Sequence, residues 1–138
     1  VNGRENLISE KNRPRLEKYI CGIITKRNCK PLAIYCNPDH CHILIGLDPK
    51  LAISDLVRDI KAFSSKLINE ERWIKGKFEW QAGYGVFSHS RSQLDTVVKY
   101  ILRQPEHHGK KTFRQEYLEL LRKFEVGYDE KYLFDFMD

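Results

Sequence analysis

Residues 36 to 47 read CNPDHCHILIGL, and His40 and His42 stand on either side of one small residue, Cys41. The Ile43, Leu44, Ile45 and Leu47 that follow give the run the composition of a strand. On a strand, residues two apart point to the same face, so the imidazoles project together while Cys41 and Ile43 project to the other side. Two neutral imidazoles at that spacing offer half of a site for a divalent cation. Without further residues the plainer reading is one satisfied core histidine beside one at a strand end.

A second pair changes the balance. In VVKYILRQ, Tyr100 and Gln104 are four residues apart and share one helical face, at the flank of an apolar stripe. Taken singly, Tyr100 is a half-buried packing residue and Gln104 a solvated one. Together with His40 and His42 they make a candidate active site, because a helix laid across the sheet brings a phenol and an amide carbonyl to the imidazoles. Gln104 then supplies an oxygen ligand, and positions stay open for a phosphate oxygen and water.

The elements that must position these residues are legible from periodicity. Leu16, Tyr19, Ile20, Ile23 and Ile24 form a helical stripe over residues 15–28, with Pro14 suited to the first turn. Leu32 to Cys36 predicts a strand, Asn37-Pro38-Asp39 a turn, and His40 to Leu47 a second strand, paired as an antiparallel hairpin. Ser54 is placed to cap a second helix with Leu56, Ile60, Phe63 and Leu67 inward. FEWQAGYGVFSHS, with glycines at 83 and 85, predicts one or two further strands. Ser92 is placed to cap a third helix with Leu94, Val97, Val98 and Ile101 inward, ended or kinked by Pro105. A fourth helix opens at Thr112 with a capping-box pattern and stops near Gly127. Helices and strands are interleaved, so the fold class is α+β: one antiparallel sheet with helices packed over one face, in a single domain spanning residues 1–138.

Composition bounds the rest. A chain of 138 residues with 41% hydrophobic and 31% charged residues is globular, and at this size it buries about 70% of its unfolded surface. No apolar run is long enough for a membrane span and no signal peptide opens the sequence, so a cytoplasmic location is expected. Cys21, Cys29, Cys36 and Cys41 lack CxxC spacing and read as reduced thiols. A structural zinc site built on Cys36, His40 and His42 is the weaker alternative, because the paired cysteine spacing of zinc modules is missing. Net charge is +5 with a pI near 9.0, which suits a polyanionic partner without requiring one.

Pro38-Asp39-His40-Cys41-His42, followed by Tyr100-Ile101-Leu102-Arg103-Gln104, resembles the small single-tyrosine HUH transposases of bacterial insertion sequences that move as single-stranded DNA. The blocks ISDLVRDIKAFSS, WQAGYGVFSHS and HHGKKTFRQEYLELLRKF are similar to that family too, so the resemblance runs from about Leu16 to Phe134. It implies a ferredoxin-like, HUH-type sandwich. Family members begin with a strand leading into a basic turn, whereas this chain opens VNGRENLISEKNRP, so the first strand is expected to be truncated.

The resemblance also implies roles. His40 and His42 would bind the catalytic metal, Mg2+ or Mn2+, Gln104 would complete its site, and Tyr100 would be the nucleophile that forms a 5′-phosphotyrosine. The expected partner is single-stranded DNA with hairpins at the element ends, bound by a homodimer. Arg58, Lys61, Lys66, Lys110 and Lys111 are candidate phosphate contacts, and Trp73, Trp80, Tyr84 and Phe87 candidate stacking platforms. A hairpin-binding protein of the same fold without catalysis is the alternative.

Overall fold

Proline lacks a backbone N–H, so Pro14 costs nothing in a first helical turn, and α1 starts there, over Arg13–Lys26. In the computed structural model, which describes residues 1, 3, 5–103, 115 and 119, α1 is followed by β1 (Lys30–Cys36), β2 (Cys41–Gly46), α2 (Ile53–Glu70), a single 3-10 turn (Arg91–Gln93) and α3 (Leu94–Leu102). Gln115 and Glu119 are helical, and the rest of the predicted fourth helix lies outside the described residues, as does Pro105.

Both long helices end in the same way. Asn28 and Arg72 take positive φ angles of 61° and 52°, and the next residue reaches back, Cys29 N–H to the Ile24 carbonyl and Trp73 N–H to the Ile68 carbonyl. These are Schellman closures, and they turn the chain sharply off each helix. Helix α1 itself ends at Lys26, two residues before the predicted end, and the closure aims the chain into β1.

β1 and β2 pair antiparallel, with Tyr35 opposite His42 and Cys36 opposite Cys41, and the register shifts once between Pro31 and Ala33. Side chains alternate across this hairpin. Ile34, Cys36, Cys41, Ile43 and Ile45 pack with Leu16, Ile20, Leu56 and Ile60, on the side of α1 and α2. Ala33, Leu44 and Tyr35 pack with Val97, Ile101 and Leu94, on the side of α3. Helices therefore cover both faces, not the one face expected, because both alternating sets of the hairpin are apolar and each needs cover.

Four other expectations are corrected. No strand forms among residues 78–90. That segment has no regular secondary structure, and several of its backbone groups are held by α2 side chains: Asn69 accepts from Phe78 N–H at 2.7 Å and donates to its carbonyl at 3.1 Å, and the Lys61 ammonium donates to Gln81 and Gly83 carbonyls at 2.8 and 2.7 Å. The buried stripe of α2 is Leu56, Ile60, Ser64 and Ile68, while Phe63 is exposed. Ser64 faces inward because its hydroxyl accepts the indole N–H of Trp80 at 2.9 Å. Helix α2 starts at Ile53, so Ser54 lies inside its first turn rather than capping it. The turn before α3 is closed by Ser90, whose N–H donates to Gln93 Oε1 at 3.0 Å, two residues ahead of the expected Ser92.

Residues 10–12 form a turn that leads into α1, and the sheet has two strands among the described residues. No described helix is long and apolar enough to cross a membrane.

The clamp by Asn69 generates a prediction, since Phe78 is only 1% exposed. Asn69→Ala leaves a buried N–H and carbonyl without partners and should destabilise the fold by about 1–3 kcal/mol, read as a lowered urea midpoint with an unchanged slope.

Candidate active site

The turn between β1 and β2 carries three buried polar residues in a row with one gap. Asn37, Asp39 and His40 are 2%, 7% and 8% exposed. Burial on this scale requires partners, and they find one another. His40 Nδ1 lies 2.6 Å from Asp39 Oδ1, and His40 Nε2 lies 3.2 Å from Asn37 Nδ2. A carboxylate can only accept, so Nδ1 carries the proton and donates to Asp39, which leaves the Nε2 lone pair to accept from the Asn37 amide. The turn itself is tied by Asn37 N–H donating to the His40 carbonyl at 2.7 Å.

One step along β2, His42 stands on the α3 side of the sheet, opposite Tyr35. Its ring centroid is 5.0 Å from that of His40, nearly perpendicular to it, and 5.9 Å from that of Tyr100, again edge to face. Tyr100 lies half-buried in the last turn of α3, which Val97 and Ile101 anchor against Ala33 and Leu44. The structure thus brings His40, His42 and Tyr100 into one row. Gln104 lies outside the described residues, as do Lys110 and Lys111.

A cavity of about 360 Å³ runs along β2, and its lining includes His40, His42 and Leu44 together with Tyr84, Phe87 and His89. Sequence offered no partner for His89, and the fold places it on the same cavity as the histidine pair. Burial holds its pKa below the usual histidine range, so it favours the neutral form. On the opposite face of the hairpin the Cys36 thiol is pushed well above its ordinary value, first by the Cys41 side chain and then by burial.

The basic candidates are dispersed. Arg58 pairs with Asp55 and Asp59, and Lys66 lies 3.9 Å from Glu70, both on exposed stretches of α2. Lys61 spends two donors on the carbonyls of Gln81 and Gly83, and burial lowers its pKa. Of the aromatic candidates, Trp80 packs edge-on to Phe78 at 5.0 Å and Trp73 lies against the core, whereas Tyr84 is 43% exposed beside the cavity.

Asn37 and Asp39 are the site residues that sequence reading passed over as turn formers. The available signal was an acidic residue immediately before a histidine on a strand predicted to be buried, where an imidazole needs a fixed acceptor. Among the described residues no group of three His, Cys, Asp or Glu side chains is arranged to hold a metal ion, so Cys36, His40 and His42 do not come together as a zinc site. Cys36 faces the other side of the sheet.

An α+β chain with helices on both faces of a hairpin, and a histidine pair on that hairpin facing a helix-borne tyrosine, is the class that fold and site define. Residues 1–104, out of 138, match the family described as Transposase IS200 like, and the chain belongs to that family. A crystal structure from Deinococcus radiodurans R1, assigned as a transposase, is similar in fold: the TM-score is 0.55 at 23% identity, over 73% of this chain and 82% of that one. No curated protein matches the chain significantly in sequence.

The Asp39 contact is open to a direct check. In long-range 1H–15N spectra His40 should show Nδ1 protonated and Nε2 unprotonated, and Asp39→Ala should give a mixture of tautomers at His40 while leaving His89 unchanged.

Proposed function

We propose that the chain cleaves and rejoins single-stranded DNA at the ends of an insertion sequence, with Tyr100 as nucleophile. The observation that supports this most is the 5.9 Å approach of the Tyr100 and His42 rings, with His40 5.0 Å further along the row.

His40 and His42 suit a divalent cation, Mg2+ or Mn2+, with Gln104 as the third ligand. Asp39 holds Nδ1 of His40 and so presents Nε2, the arrangement in which a carboxylate orients a metal-binding imidazole. The Asn37 amide would turn aside to free that lone pair. When bound, the cation would neutralise charge that builds on the phosphate oxygens.

The chain's own residues do the rest. A phenol of pKa about 10 is a weak nucleophile at neutral pH, so Tyr100 must be positioned at the phosphorus and lose its proton as it attacks. The P–O bond to the 3′ oxygen breaks, which leaves a 5′-phosphotyrosine and a free 3′-hydroxyl. One phosphate ester replaces another, so a second 3′-hydroxyl reverses the step without ATP. Arg58, Lys61, Lys66, Lys110 and Lys111 would contact phosphates, Tyr84 would stack on an unpaired base, and two copies would act as a homodimer on hairpins at the element ends, in the cytoplasm.

A second reading is a hairpin-binding protein without chemistry. The Asn37 amide on His40 Nε2 favours it, because both nitrogens of that ring already have partners.

Incubation with single-stranded DNA carrying the element ends and Mg2+ or Mn2+ separates the two. The nuclease reading expects a covalent protein–DNA adduct that disappears in Tyr100→Phe and falls by at least about a hundredfold in His42→Ala. Binding without an adduct in the unaltered protein would leave the second reading standing.

Imidazole ligands must be neutral, so acid should expel the cation. Mn2+ affinity measured by calorimetry should fall as the pH is lowered, and a flat profile from about pH 5 to 8 would remove His40 and His42 as ligands.

A further inference from the structure

Cys36 and Cys41 face each other directly across the hairpin, on the side away from the imidazoles. Their type of pairing can be read from the backbone. Cys36 N–H does not bond across to Cys41 but donates outward, to the Glu17 carboxylate at 2.9 Å, while the next pair inward is the one tied by Asn37 N–H to the His40 carbonyl. Cys36 and Cys41 are therefore a non-hydrogen-bonded pair, in which the Cα atoms approach to about 4.5 Å and the side chains lie closest. That separation falls within the roughly 4.4–6.8 Å range that a disulfide spans. Both side chains belong to one apolar cluster, Cys36 at 1% exposure and Cys41 half-buried, and both are free thiols.

We infer that Cys36 and Cys41 form a redox modification site, a dithiol that closes to a cross-strand disulfide under a peroxide. Cys41, the more accessible sulfur, meets the oxidant first. Its thiolate attacks one peroxide oxygen, the O–O bond breaks, and Cys41 becomes a sulfenic acid as the first water leaves. The Cys36 sulfur then attacks the Cys41 sulfur, the S–O bond breaks, and a second water carries away the Cys36 proton. Two thiols are oxidised by two electrons and one peroxide is reduced to two waters. The link would staple the hairpin one residue from both His40 and His42, and a dithiol reductant reopens it.

The full chain treated with hydrogen peroxide, then alkylated under denaturing conditions, tests this. Digestion before aspartates cuts at Asp39, between the two cysteines. The expected product is a peptide pair joined through Cys36 and Cys41 that separates on reduction with dithiothreitol and is absent from both Cys36→Ser and Cys41→Ser. Because Cys36→Ser alters a buried position, Cys41→Ser carries the control if the former fails to fold. A link from Cys36 to Cys21 or Cys29, or Cys41 driven to the sulfinic acid with Cys36 still alkylated, would overturn the inference.

Discussion

Everything at the site depends on the register of one hairpin. Tyr35 lies opposite His42 and Cys36 opposite Cys41, and a slip of one residue would exchange the faces of β2. His42 would then point into the α1 and α2 core, and Cys41 would point at Tyr100. Register is fixed because both faces are buried: Leu44 must meet Val97 and Ile101 while Ile43 and Ile45 must meet Ile20 and Ile60. The short turn adds a second lock, since Asn37, Asp39 and His40 satisfy one another only in this arrangement.

The same constraint explains how polar chemistry survives in a small apolar fold. His40 is nearly enclosed, yet each of its nitrogens has a partner from the turn, so burial carries no unpaired group. His42 and Tyr100 meet edge to face beside it. Helix α3 is only nine residues long, and its placement rests on Val97 and Ile101 reaching Ala33 and Leu44.

Much of this was legible in the amino-acid order, for identifiable reasons. The stripe Leu16, Ile20, Ile23, Ile24 and the His40, His42 alternation are local periodicities, and local periodicity survives tertiary packing. The inward turn of Ser64 was not legible, because a serine on a helix reads as polar until Trp80, far along the chain, is known to donate to it. The segment from Phe78 to Ser90 has the aromatic content of a strand, and what sequence could not show is that Asn69 and Lys61 satisfy its backbone in place of a neighbouring strand. Asn37 and Asp39 looked like turn formers, and they are; their second task as partners of His40 follows only from burial.

The outer edge of the hairpin limits what the sheet can recruit. On the outer side of β1, the Cys36 amide is already claimed by Glu17 from α1, Pro31 has no amide to offer, and the strand bulges just beyond it. Another polypeptide would find no continuous row of donors there. Strand addition is thereby disfavoured along that margin, and the two described strands can carry an apolar surface on each face without inviting fibrous growth from that rim.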